Sequence, residues 1–238
     1  MNPTLARRVS DRRLYVFFAF IFPVIVLAGF ARTYYLKGFF NTPALPSLLV
    51  QLHGLVMTAW VILFVVQVWL VSARRTLLHQ QLGILGAVLS VGVFLVGLLT
   101  GIFSAARAGS TPQALQFLVV PLLDMLIFAI LVGLALWFRR RTAVHKRLML
   151  LAAVNMLAPA IARIPIHFIE AGGPLAFFGL TDLVLLACVT YDTIKYRRVH
   201  PVFLWGTILI IASQPLRLML AGTGIWMRFA SSLVAMFN

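Results

Sequence analysis

The sequence predicts an all-α polytopic membrane protein with seven transmembrane helices, on three observations. Of 238 residues, 62% are hydrophobic and only 11% charged, where a soluble domain carries about 25% charged residues. The apolar residues gather in runs that match the roughly 20 residues a helix needs to cross a hydrocarbon core. Lys and Arg collect in every second gap between those runs.

The expected spans are Leu14–Ala31, Ser47–Ser72, Gln80–Ser104, Ala114–Phe138, Lys146–Ile166, Leu175–Ile194 and Val202–Ala221. The first comes after a basic stretch, but no small-residue cleavage site comes after it, so it reads as an uncleaved span and not a signal peptide. RTYYLKGFF precedes the second and reads as an interfacial segment with aromatic anchors. The third carries Gly97 and Gly101, a small-xxx-small pair suited to close helix approach. The fourth holds Asp124. The fifth holds Pro159 and Pro165, which are expected to kink it, with neighbouring helices satisfying the freed backbone groups. The sixth contains Cys188, the single cysteine, so no disulfide framework exists. The seventh starts after Pro201, tolerated in a first helical turn, and carries Pro215 as a further kink. Ile225–Phe237 is an amphipathic piece expected in the interface. The loops are too short for a soluble domain, so residues 1–238 read as one transmembrane domain.

The net charge of +15 does not point to nucleic acid, because the cations lie in short clusters between apolar runs. One side holds fourteen: Arg7, Arg8, Arg12, Arg13, Arg74, Arg75, Arg139, Arg140, Arg141, Lys146, Arg147, Lys195, Arg197 and Arg198. The other holds four: Arg32, Lys37, Arg107 and Arg228. By the positive-inside rule the N-terminus is cytoplasmic and the C-terminus outside.

RRTLLH at 74–79 returns as RRTAVH at 140–145, and a shortened RRVH stands at 197–200. Each block falls on an expected cytoplasmic turn, so the chain reads as one leading helix plus three hairpins repeated in the same orientation. The inverted symmetry of many transporters is absent.

The stretches His79-Gln-Gln-Leu-Gly83 and His145-Lys-Arg-Leu-Met149, with Arg163 five turns on, resemble a group of bacterial multi-pass proteins of unknown function. These have a His-x-x-Leu-Gly start on one helix and a His-Arg-x-x-Met start on a later helix that ends in Arg. The resemblance covers roughly spans two to five. It implies a multi-pass fold in the bacterial inner membrane and no settled activity. A second resemblance, in hairpins with His at both ends, is to haem proteins of the cytochrome b561 type.

An ionisable group in the bilayer costs at least about 2.5–3.5 kcal/mol and marks a functional-site candidate. Asp124 and Asp182 lie inside spans four and six. Arg163, His167, Gln214 and Arg217 lie late in or just beyond spans five and seven, and His53 lies early in span two. By helix rise all are expected in the outer part of the membrane, Asp124 roughly 20 Å from the cytoplasmic edge. They suit a structural ion-pair network, in which polar groups hold spans together. They also suit a periplasm-facing pocket for a small ligand, with Arg163 and Arg217 as anion clamps. His53 and His167 could instead serve a metal or haem.

His79, His145 and His200 open helices at the inner surface. Converging, they would supply a metal ion or haem b; separately, they are interfacial anchors. His53 is roughly 28 Å from them by helix rise, too far for a fast two-haem wire. There is no CxxCH for c-type haem and no HExxH for a zinc protease. Span seven has no lysine for a retinal Schiff base.

The leading expectation is an inner-membrane binding or sensing protein with an outer pocket. The alternatives are a haem b or metal redox protein, and a small transporter or assembly factor for another membrane complex. The expected partners are the lipid bilayer and either a small ligand or another membrane protein.

Overall fold

The computed structural model describes the backbone of residues 3–237 and side chains from residue 14 onward. The N-terminal cluster Arg7, Arg8, Arg12 and Arg13 therefore lies outside the described side chains. Among the described residues there are helices and turns and no strand. Seven helical stretches are long and apolar enough to cross a membrane: Leu14–Tyr35, Leu48–Ser72, Thr76–Arg107, Pro112–Trp137, Thr142–Ile161, His167–Tyr196 and Pro201–Ala221.

The first stretch is α1 (Pro3–Phe30), which loosens into a π-helical turn at Ala31–Tyr35 and leads into the short α2 (Lys37–Phe40). Helices α3 (Leu48–Ser72) and α4 (Thr76–Arg107) come next. Ser47 caps α3, its Oγ accepting from Val50 N at 3.3 Å. The fourth stretch is broken into α5 (Pro112–Phe117) and α6 (Val119–Trp137). The cause is Pro121, which has no N–H for the carbonyl of Phe117. The fifth breaks the same way ahead of Pro159, into α7 (Thr142–Asn155) and α8 (Ala158–Ile161). In α9 (His167–Tyr196) Gly173 has φ 51° and ψ −134°, so residues 167–172 form a separate helical piece ahead of Pro174. That kink lies just before the expected start at Leu175. Helix α10 (Pro201–Ala221) and α11 (Gly224–Ala235) complete the chain.

Packing centres on α7, α8 and the turn between them, where Leu150 to Val154, Leu157 and Ala160 are fully enclosed. Helices α6, α9 and α10 contact α7, and α1 lies on α8 and α3. Gly29 is what lets α1 reach α8: a Cβ there would stand 2.1 Å from the Ala160 carbonyl oxygen. Gly97 and Gly101 face α6 as a close-approach pair, where a Cβ would meet Met125 Sδ at 2.3 Å and Pro121 Cγ at 3.2 Å. An aromatic knot of Phe18, Phe22, Trp60, Phe64 and Phe128 joins α1, α3 and α6. Helix α11 folds back by one face, Trp226, Ala230 and Val234, onto Ile102, Leu115 and Val119. Trp226 Nε1 donates to the Leu115 carbonyl at 2.9 Å.

The turns at 73–75, 138–141 and 197–200 gather at one end of the bundle, as the contacts among His79, His145, Arg147 and Asp192 require. Arg74 and Arg197 both adopt left-handed backbone, φ 60° and 57°. At Arg74 this ends α3 in a Schellman turn: Arg75 N donates to Leu70 O at 2.8 Å and Arg74 N to Val71 O at 3.1 Å.

Candidate functional site

At the end away from the arginine turns, the polar residues divide into three groups. In the first, Arg217 Nη1 of α10 donates to Asp124 Oδ1 of α6 at 2.5 Å. Arg217 is 1% exposed and Asp124 3%. Ser213 Oγ accepts from Arg217 Nη2 at 3.1 Å, and the guanidinium lies over the Phe178 ring. Asn155 Nδ2 donates to the Asp124 backbone carbonyl at 3.2 Å. In the second, Gln214 Nε2 donates to Asp182 Oδ1 at 2.7 Å. The third is Arg163, exposed, which donates to the Pro159 carbonyl at 2.7 Å and stacks over Phe30. His53 lies within electrostatic range of Arg163, and its Nδ1 is buried with no hydrogen-bond partner. His167 is exposed on the first residue of α9. Of the seven residues expected to share one pocket, the structure links Asp124 to Arg217, Asp182 to Gln214, and His53 electrostatically to Arg163. Arg217 is turned onto the Asp124 carboxylate, and its Nε is buried with no hydrogen-bond partner.

At the arginine-rich end the helix starts explain which histidines meet. Arg75 is the N-cap of α4 and Arg141 that of α7. His79 N donates to Arg75 O at 3.1 Å and His145 N to Arg141 O at 3.0 Å. Each histidine therefore closes the first hydrogen-bonded turn of its helix at the same position. Their rings come together, with centroids 6.3 Å apart and planes crossing at 78°. The shorter third block puts His200 at the N-cap itself, where its Nδ1 accepts from Val202 N at 3.2 Å. His200 thus serves its own helix end, and among the described residues no three His, Cys, Asp or Glu side chains form a metal-binding group.

His145 Nδ1 is 2.8 Å from the Ala135 carbonyl. A carbonyl only accepts, so Nδ1 carries the proton and Nε2 keeps the lone pair. His79 Nδ1 is buried without a partner, as is Gln67 Oε1; the Gln67 backbone lies beside the His79 ring. His200 lies outside the spans, and its imidazole is pushed below the ordinary value of 6.5. Burial is the main cause, with Arg147 next; Arg198 and Lys146 add to it and Asp192 opposes it.

A buried ion pair at this end was not among the sequence candidates. Arg147 Nε and Nη2 hold both Asp192 oxygens at 2.7–3.0 Å, and Nη1 donates to Ala143 O at 2.8 Å. Both residues are 2% exposed, and Tyr196 and Phe203 cover the guanidinium. Counting Arg147 among the loop cations hid it. The available signal was Asp192, an acidic residue one turn inside the basic cluster at the end of span six.

No protein-family model, curated protein or solved structure matches the chain. The fold alone defines its class: an all-helical protein with seven helices long and apolar enough to cross a membrane.

Proposed function

We propose that this membrane protein holds one haem b between His79 and His145 and works as a one-electron carrier. The single observation that carries the reading is the meeting of these two rings at 6.3 Å. Rings this close would let both imidazoles serve one haem iron. The buried, unpartnered His79 Nδ1 and the Nε2 lone pair of His145 fit a site that needs an acceptor for nitrogen lone pairs. Among the described residues no third His, Cys, Asp or Glu joins these two nitrogen donors, so a group that brings further ligands of its own suits the site better than a bare ion. Haem b would bring ligands of its own, and His79 and His145 would hold its iron.

When bound, such a group supplies reversible one-electron chemistry. The chain's own residues do the rest. The Ala135 carbonyl holds His145 in the Nδ1–H tautomer and raises the basicity of its other nitrogen. Arg74, Arg75 and Arg139 to Arg141 supply positive charge for carboxylate side groups. The sequence resemblance to cytochrome b561-type proteins supports the same reading, and the charge bias supports a cytoplasmic position for this end.

The test is an oxidised and dithionite-reduced absorption spectrum of the purified chain, with haem and metal analysis on the same sample. A Soret band with sharp reduced bands is expected, lost in His79→Ala and in His145→Ala and kept in His200→Ala. A chain that neither retains haem nor takes it up on titration overturns the reading. A second reading keeps a small-ligand site at the opposite end, on the strength of the unpartnered His53 Nδ1 beside Arg163. It is favoured if the spectrum is blank and Arg163→Ala abolishes a cellular activity without lowering thermal stability.

A further inference from the structure

A cavity of about 120 Å³ opens between the first turns of α7 and the α9–α10 turn, lined by Ala143, Arg147, Tyr196, Arg198 and His200. That is about four times a water molecule's share of liquid volume, roughly 30 Å³, which leaves room for a tetrahedral anion. Arg147, Arg198 and Lys146 all act on His200 at its edge, and Asp192 opposes them. Arg147 and Asp192 answer each other through their two-pronged bond, so the positive charge offered to the cavity is that of the exposed Arg198. His200 gives Nδ1 to Val202 N, and its other ring nitrogen is not needed by the cap. Arg147 is 2% exposed and fixed by Asp192 and Ala143, so it forms a rigid wall of the cavity and leaves anion contact to Arg198 and His200.

We propose that this cavity binds the phosphate of an anionic phospholipid headgroup. The apolar surroundings favour lipid over a free anion. Val199, between Arg198 and His200, is 47% exposed, and Leu204 and Trp205, one turn along α10, are 46% and 67% exposed. Acyl chains rising from a seated headgroup would lie along this face. Basic pockets between helices at a membrane surface recognise headgroups in this way, each nearby Lys or Arg contributing about 1 kcal/mol.

The experiment uses the full-length chain in detergent, titrated with phosphatidylglycerol or phosphatidylcholine and read by native mass spectrometry. Preferential retention of phosphatidylglycerol is expected, with Arg198→Ala weakening it about five-fold. Arg107→Ala, at the far end of α4, leaves retention unchanged. Equal retention of the two lipids overturns the proposal, as does equal weakening by Arg198→Ala and Arg107→Ala, which would mean diffuse surface charge. Inorganic phosphate added at the lipid's concentration is the third arm. If it displaces the lipid, the site belongs to a free anion and the lipid assignment fails; if it does not, the assignment stands.

Discussion

Arg217 and Asp124 close a buried ion pair at 2.5 Å across 93 residues of sequence, tying α10 to α6. Removing one member of such a pair strands the other charge, which costs about 3–5 kcal/mol, whereas replacing both with apolar residues of similar volume is often neutral. Arg217→Met or Asp124→Leu alone should therefore lower stability by about that amount, and the double variant should recover most of it. Thermal unfolding in detergent measures this; a single variant that melts with the wild type would show that the pair carries no stability.

Arg147 holds Asp192 through two nitrogens, a geometry that lysine cannot reproduce. Arg147→Lys keeps the charge but leaves an Asp192 oxygen and the Ala143 carbonyl short of donors. A loss of about 1–3 kcal/mol is expected from the unsatisfied buried groups. Wild-type stability in Arg147→Lys would mean that the fork geometry is dispensable.

Two glycines separate contact from propensity. Gly29→Ala drives a Cβ into the Ala160 carbonyl, and overpacking of this kind costs about 1–3 kcal/mol. Gly133→Ala meets nothing within 4 Å and should leave the melting temperature level or slightly raised. Equal melting of both variants would remove the α1–α8 contact as a constraint.

The His200 cap gives stability a pH dependence. Its folded value lies below the ordinary 6.5, so the unfolded chain binds the proton more readily and stability rises with pH. The contribution is full above the unfolded value and is lost as pH falls from there through the folded value, because protonated Nδ1 cannot accept from Val202 N. His200→Asn keeps a capping acceptor that does not titrate. The wild-type melting temperature should fall between pH 7 and pH 5.5 relative to this variant; parallel curves would contradict the assignment.

The spans were legible because their signal is bulk apolarity over about 20 residues, which needs no knowledge of packing. Proline and glycine punctuation was legible in part, at Pro159 and at the Gly97–Gly101 face; the breaks at Pro121 and Gly173 were not, and α10 runs unbroken through Pro215. The pairing of polar residues was not. Depth along a helix comes from rise per residue, so Asp124 and Arg217 could be placed at similar depth. Whether they point at each other or into shared space depends on helix rotation and neighbour order, which the sequence does not state. The histidine repeat was half legible: the block Arg-Arg-Thr-x-x-His predicts matching helix starts for His79 and His145. The two-residue shortening before His200 reads as a minor variation until the cap geometry shows that it moves the imidazole to another job. Arg147 was misfiled because a basic residue near a turn usually faces water or headgroups.

The central stretch Thr142–Ile161 is at once the least apolar of the seven and the most enclosed by its neighbours. A segment leaving the ribosome is sorted into lipid by its own apolarity, and Arg147 and Asn155 weigh against this one. Its companion Asp192 is still inside the ribosome when it emerges, so its insertion must lean on helices already present, above all α6, or wait for α9. Biogenesis of this chain is therefore expected to be cooperative, with insertion of the fifth stretch the step most sensitive to loss of α9 and α10.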